Sequence, residues 1–372
     1  MIYLFAVMLA LLSLFLPAIH PNVLAALSPR FNGEEFVIFI LSFSLLYHLL
    51  NPLRIMLMSY IDSDSELAYF PLQKEIRRKG ITPIYLCTIC SIYSILITLI
   101  LSPLYIFILS TTYSKLKNWS IPFLLCIILF SIWKEKRKRY AILIYLLSGI
   151  LGVFVLNFNP PLLSPMLFGF FTLPYLKLTQ KVSFLGIKLK FKFQNTSQLK
   201  LLRICLKSSL TSILYALVPS LTSTQLSILW NPTKNDEKTL LNSAITASLP
   251  IFCLISAISI GKGRSGYMEE IKHLISPSNI PTLYLIILFT TLLSLFLIFL
   301  ICFTIQHFPF ISKLILPSKF ILICFILWLY SLSSLPIIFL AFSISKLAEK
   351  LKVRKVHCMG CISLKAVIDS LR

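Results

Sequence analysis

Acidic residues are scarce in this chain: 13 Asp and Glu stand against 35 Lys and Arg in 372 residues. All 13 lie in loops or at the ends of apolar runs. That argues against the buried carboxylate relay of a proton pump, unless segment 59–80 dips inward. Charged residues make up only 13% of the chain, about half the share of a soluble domain. Glycine is also sparse, ten residues where about 7% is usual. No hydrolase, kinase or metalloprotease signature occurs, so no enzyme activity is expected. Asp62, Asp64 and Glu66 are the only acidic cluster that a metal-dependent transferase acting on lipid-linked substrates would find. Their spacing is too short for an EF-hand loop and reads as a solvated loop. Neither a metal nor a cofactor is expected.

Cysteine carries no disulfide framework. Of the nine, Cys126, Cys205, Cys253, Cys302 and Cys324 lie inside apolar runs, where Cys acts as a small hydrophobe. The pairs Cys87/Cys90 and Cys358/Cys361 make a zinc site only if brought together, and the first lies within an apolar run.

What the chain has in abundance is apolar sequence. Hydrophobic residues make up 57%, and the mean hydropathy is +0.88. No soluble fold hides that much apolar surface, so the bilayer is the expected solvent, with spans of about 20 residues. Apolar runs fall near 1–27, 34–50, 81–109, 119–133, 140–157, 160–176, 203–229, 240–260, 280–305 and 320–345. They predict an all-α, polytopic transmembrane bundle of about ten spans. The first run lacks a basic n-region, since Arg30 is the first basic residue, and reads as a retained span.

The net charge of +22 resides in short loops between these runs. That placement suits anionic headgroups rather than nucleic acid. With one crossing per run and Lys134–Arg139 taken as cytoplasmic, Lys74–Lys79, Lys177–Arg203, Lys262, Arg264, Lys272 and Lys346–Lys355 fall on the same side. The other side receives Arg30, Lys115, Lys117, Lys234, Lys238, Lys313 and Lys319, seven of the 35. Both termini are then cytoplasmic, in a multi-pass protein of the cell membrane. A re-entrant segment counted as a span breaks this parity.

A faint repeat divides the chain. Leu16-Pro17-Ala18-Ile19-His20-Pro21-Asn22 resembles Val218-Pro219-Ser220-Leu221-Thr222-Ser223-Thr224-Gln225. Each is followed by an apolar run and then a polar loop, 59–80 or 261–278. The expected organisation is an N-terminal transmembrane half (1–180), a basic cytoplasmic linker (181–200) and a C-terminal half with its tail (201–372). Within the linker, Lys188-Leu-Lys190-Phe-Lys192 alternates with period two, as in a short hairpin or a surface-lying segment.

A proline within an apolar run removes a helical hydrogen bond. Lipid tolerates the freed backbone only where it faces protein or a wet cavity. Paired breaks in two halves point to a central site at which half-helix N-termini meet an anion. Pro17, His20, Pro21 and Asn22 with Pro219, Thr222, Ser223, Thr224 and Gln225 are therefore the candidate binding residues. Gly261-Lys262-Gly263-Arg264-Ser265-Gly266 lacks the order of a phosphate loop. It reads as a tight cytoplasmic turn, with Lys262 and Arg264 facing headgroups or an anion.

These segments together resemble the large permease subunit of the tripartite tricarboxylate transporters, in its archaeal-type branch. Pro17–Asn22 is similar to its P-G-I-H-P-N. Phe70-Pro71-Leu72-Gln73 with Lys79-Gly80 is similar to its L-P-G-H and later glycine. Leu147–Gly152 is similar to L-S-G-x-x-G, and Leu163–Phe171 to L-x-P-L-x-x-G-x-F. Val218–Gln225 resembles the second P-G-x-x-S-S-Q. Ile260–Gly266 resembles I-G-K-x-R-S-G, and His357-Cys358-Met359-Gly360 resembles H-L-M-G. The resemblance implies a permease for small organic anions such as carboxylates, energised by a coupling cation. It also implies a small membrane subunit and an extracytoplasmic binding protein as partners. The chain departs from the pattern at both breaks, where Ala18 and Ser220 replace glycine. A diverged, non-transporting scaffold or assembly partner is the second reading.

Overall fold

The computed structural model describes residues 2–15, 19–24, 33–58, 66–157, 162–175, 198–218, 221–230, 232, 234–307, 324 and 332–371. These residues are helical, with no strand among them. In chain order they form α1 (Ile2–Leu12), α2 (Pro21–Leu24), α3 (Gly33–Leu49), α4 (Asn51–Met58), α5 (Glu66–Lys79), α6 (Thr82–Leu116), α7 (Ser120–Trp133), α8 (Lys138–Val155) and α9 (Leu163–Leu167). Next come α10 (Gln198–Leu217), α11 (Ser223–Leu229), α12 (Asn235–Ile260), α13 (Gly266–Ile271) and α14 (Ile280–His307). The last two are α15 (Leu335–Lys350) and α16 (Gly360–Leu371). The loop expected at 59–80 is helical from Glu66 onward, while Asp62 and Asp64 lie outside the described residues.

Four stretches among the described residues are long and apolar enough to cross a membrane: Thr82–Trp133, Lys138–Val155, Asp236–Ile260 and Pro277–Thr304. Their faces are sorted as lipid demands. Along α14 the residues Leu285, Phe289, Leu292, Phe296, Phe299 and Phe303 form one exposed stripe, while Thr290, Thr291 and Ser294 are buried. On α6, Ile100, Leu104 and Phe107 face outward, and Ser91, Ser94, Thr98 and Ser102 face inward. Apolar stripes of this length outside and small hydroxyls inside are the pattern of a helical membrane protein.

The inward hydroxyls join α6, α10 and α12. Ser94 and Ser208 share a hydrogen bond of 2.6 Å, and Thr98 and Tyr105 each meet the Ser209 hydroxyl, at 3.0 and 2.9 Å. Small side chains let the backbones approach closely, and each such bond contributes about 0.6 kcal/mol in a membrane bundle. α12 is the central helix: 78% of its apolar window is buried, against 39–44% for the other three. Asp236 and Glu237 sit in its first turn, complementing the helix dipole. Gly261 ends it in the left-handed conformation at φ +64°.

Helix direction corrects the expected layout. Lys200 pairs with Asp236, and Ser212 bonds to Ser248, each across 36 residues. A constant offset means that α10 and α12 run side by side in the same direction. The run 203–229 is therefore not a single crossing: α10 ends at Leu217, and the chain returns through α11 before α12 begins. Lys234 and Lys238 consequently stand at the same end as the start of α10, not opposite the basic linker.

The first unit repeats this plan. Phe5 near the start of α1 stacks on Phe39 near the start of α3 at 5.7 Å, and Ser13, just past α1, meets Arg54, just past α3. α1 and α3 are thus parallel too, and run 1–27 also turns back before α3.

The two units are inverted. Asn279, just before α14, donates to Glu34 at the start of α3 at 3.0 Å. Near the far end of α14, Cys302 meets Tyr85 of α6, and Cys87, half a turn on, lies against Thr239 and Ser243 of α12. α14 thus runs from the start of α3 to the start of α12, so those two helices begin at opposite ends of the molecule.

Both apolar cores draw on residues from either side of the 181–200 linker. The larger includes α1, α3, α6, α10, α12 and α14; the smaller joins α8 and α9 to α15 and α16. The two sequence halves are therefore interleaved in space. The alternating stretch at 188–192 lies outside the described residues.

Candidate functional site: the turn between the two breaks

Pro17 and Pro219 lie outside the described residues, but the segments after both prolines are in view. The 261–267 turn ties them together. Asn22, beyond the first proline, accepts a hydrogen bond at its Oδ1 from the Tyr267 backbone N–H at 3.1 Å. Gly266 lies against the same oxygen; a Cβ placed there stands 3.2 Å from it. Arg264 reaches the other way. Its Nε donates to the Ala216 carbonyl at 2.6 Å and its Nη2 to the Leu217 carbonyl at 3.0 Å, at the end of α10 and two residues before Pro219.

The sequence explains this turn locally. Gly261 reverses the chain after α12, and the Ser256 hydroxyl donates to the Lys262 carbonyl at 2.9 Å, folding the turn back on the helix. Ser265 caps α13 by accepting from the Met268 N–H at 3.3 Å. Arg264 satisfies carbonyls that the helix end leaves without partners and places its charge at the negative end of the α10 dipole. Where Arg264 was expected to face headgroups or an anion, its Nε and Nη2 turn to these backbone carbonyls. Lys262 is exposed.

The second polar cluster divides by role. Thr222 and Gln225 form a reciprocal capping box at the start of α11. The Thr222 hydroxyl accepts from the Gln225 N–H at 3.3 Å, and the Gln225 side-chain oxygen accepts from the Thr222 N–H at 3.0 Å. These two hydrogen bonds fix the start of the helix. Ser223 and Thr224 are buried beside them, and Ser227, one turn on, joins the Ser223 carbonyl to Asn242 Oδ1 on α12.

In the first unit, His20 Nδ1 accepts from the Asn22 N–H at 3.2 Å, and its ring stands edge-on to Tyr47 at 5.0 Å. Pro21 starts α2 and is buried. Arg54, which belongs to no motif of the sequence, also meets Tyr47. Its guanidinium carbon sits 3.7 Å from the Tyr47 ring centroid and the residue is fully buried. The signal that finds it is a lone basic residue in Asn51-Pro-Leu-Arg54-Ile-Met-Leu-Met, where a charge among apolar neighbours is costly.

A second closure joins the segments resembling L-S-G-x-x-G and H-L-M-G. The Ser148 hydroxyl bonds the His357 carbonyl at 3.2 Å. A Cβ on Gly152 would fall 1.9 Å from the Cys361 carbonyl oxygen, and one on Gly360 would fall 2.3 Å from the Tyr145 carbonyl oxygen. Beside them, Glu135 accepts from Arg354 and lies 3.4 Å from His357 Nε2. Burial pushes the Glu135 carboxyl up, but hydrogen bonds from His357 and Arg354 and their charges prevail, holding it at about 2. This ion cluster fixes the C-terminal segment to the basic loop after α7, so Lys134–Arg139 and the tail around Arg354 share one end of the molecule.

Comparison with known proteins adds one relative. The chain is 27% identical over 300 residues to an uncharacterized protein of Methanocaldococcus jannaschii, covering 76% of this chain and 74% of that protein. No protein-family profile matches the chain. No solved structure matches it either.

Proposed function

We propose that this chain is a multi-pass permease of the cell membrane that carries small organic anions, carboxylates foremost, by secondary transport. One observation carries the reading: two inverted units, each a helix, a proline break, a short helix and a parallel helix, have their breaks joined through the 261–267 turn. Inverted repeats with discontinuous helices at their interface are how many secondary transporters build a site reachable from either side in turn. The half-helices α2 and α11 offer the positive ends of their dipoles, which suit a carboxylate. In this reading His20 and Asn22 of the first break, with Ser223 and Thr224 of the second, hold the solute. The resemblance to the tricarboxylate permease subunit supports the same reading and adds a coupling cation, a small membrane subunit and an extracytoplasmic binding protein as partners.

Counterflow in proteoliposomes tests the proposal. Vesicles preloaded with unlabelled citrate or succinate are expected to accumulate the labelled anion, and His20→Ala is expected to slow this at least ~10-fold. A broad panel of carboxylates with no counterflow, in protein that melts cooperatively, rejects it.

A second reading, a non-transporting scaffold diverged from permeases, is favoured by a separate observation. Ala18 and Ser220 stand where glycine lets a backbone approach a ligand, and Thr222 and Gln225 are spent on capping. Copurification of a stoichiometric membrane partner, together with silent counterflow, selects it.

A further inference from the structure

The strongest demand for a ligand among the described residues is made by Arg54. Its Nη2 donates to the Tyr47 carbonyl at 2.9 Å and lies 3.5 Å from the Ser13 hydroxyl. Its Nε and Nη1 are buried and have no hydrogen-bond partner. A guanidinium carries five N–H donors, so Nε and Nη1 together leave three without an acceptor. No ion pair among the described residues involves Arg54. Among the described residues, two imidazoles lie close to it. His20 and His48 both stand against the Tyr47 ring, at 5.0 and 5.5 Å between centroids.

The repeat supplies an internal comparison. Arg264 occupies the equivalent place in the second unit, after the third helix and reaching back to the end of the first. There both Nε and Nη2 are satisfied by carbonyls and the side chain is half-exposed. Arg54 holds the same position, fully buried, with its Nε unused. Capping therefore accounts for Arg264 and leaves Arg54 unexplained. A buried charge without a counter-ion costs several kcal/mol, and such residues inside membrane proteins mark solute pathways.

We propose that Arg54, its guanidinium stacked on the face of Tyr47, is an anion-binding residue that holds a carboxylate of the solute through Nε and Nη1. The identity of the anion rests on the permease reading; the need for acceptor oxygens at Arg54 does not. Arginine suits the task because its planar fork matches a carboxylate and its flat face stacks on the aromatic ring.

The test uses the full chain in nanodiscs with Arg54→Lys and Arg54→Met. Thermal midpoints are followed against citrate and succinate at fixed ionic strength, with chloride as the control anion. The wild-type midpoint is expected to rise with carboxylate and not with chloride. Arg54→Lys should need ~10-fold more carboxylate and Arg54→Met ~100-fold or more. The ligand-free midpoint of Arg54→Met should equal or exceed that of the wild type, since a buried unpaired charge is removed. A merely structural arginine gives the opposite: a lowered ligand-free midpoint with the carboxylate response intact, which overturns the proposal. A wild type that answers to neither carboxylate overturns it as well. Counterflow separates the two claims. Uptake that survives Arg54→Met rejects Arg54 and spares the permease, whereas an Arg54-dependent response without uptake supports the site and rejects transport.

Discussion

Asn22 and Tyr267 are 245 residues apart and share a hydrogen bond of 3.1 Å, from the Tyr267 backbone N–H to the Asn22 side-chain oxygen. Through this bond, the segment after the first proline is held by the turn that also grips the helix before the second. Asn22→Ala leaves the Tyr267 N–H without its acceptor and should cost about 1–2 kcal/mol of stability. Asn22→Asp keeps the acceptor and should recover most of it. Thermal unfolding of the purified variants measures both, and equal losses in Ala and Asp would show that the bond is not what matters there.

Gly152 and Gly266 should differ sharply when changed to alanine. At Gly152 the new Cβ meets the Cys361 backbone, which cannot yield, so a loss of about 3 kcal/mol is expected. At Gly266 the neighbour is the Asn22 side chain at 3.2 Å, which moves by a few tenths of an ångström, and the loss should stay below about 1 kcal/mol. The comparison is read from midpoints in one detergent, and the reverse order contradicts the packing described for the α8 and α16 contact.

Glu135 sets a pH dependence with a definite sign. Its folded carboxyl titrates at about 2 instead of the ordinary 4.5, so the unfolded chain binds more protons in between. Its stabilisation is complete above about 4.5 and is lost as pH falls toward about 2. Glu135→Gln should destabilise by about 3 kcal/mol at neutral pH, because Arg354 and His357 lose their shared anion. The gap between wild type and variant should close on acidification. Parallel melts from pH 7 to pH 3 check this, and a gap independent of pH would assign the effect to packing.

Much of this arrangement was legible in the sequence, and the misses have physical causes. Hydropathy located the long apolar helices, because α12 and α14 are uninterrupted and lipid exacts their composition. The paired breaks were visible because proline within an apolar run has few uses. Hydropathy carries no direction, however, so a helix followed by a returning half-helix counts as one crossing. Charge in the loops could not correct this, since Lys234 and Lys238 look the same on either face. The return is revealed by two contacts at the same 36-residue offset, Lys200–Asp236 and Ser212–Ser248. The three-residue spacing of Thr222 and Gln225 is also that of a capping box, which the structure shows at the start of α11. Arg264 stands out as a motif residue, whereas Arg54 has no motif around it, only its place as a lone charge in an apolar stretch, and its burial shows what that means.

The central claim is that each unit's first apolar run turns back before the second long helix begins, leaving two inverted units. Single cysteines on a background with the nine native cysteines replaced test it directly, using a membrane-impermeant maleimide on vesicles of known orientation. Gln198→Cys and Glu237→Cys should be labelled from one face, and Glu35→Cys and Ser278→Cys from the other. Labelling of positions 198 and 237 from opposite faces would show that run 203–229 crosses once, and would contradict the inverted arrangement on which the proposed transport rests.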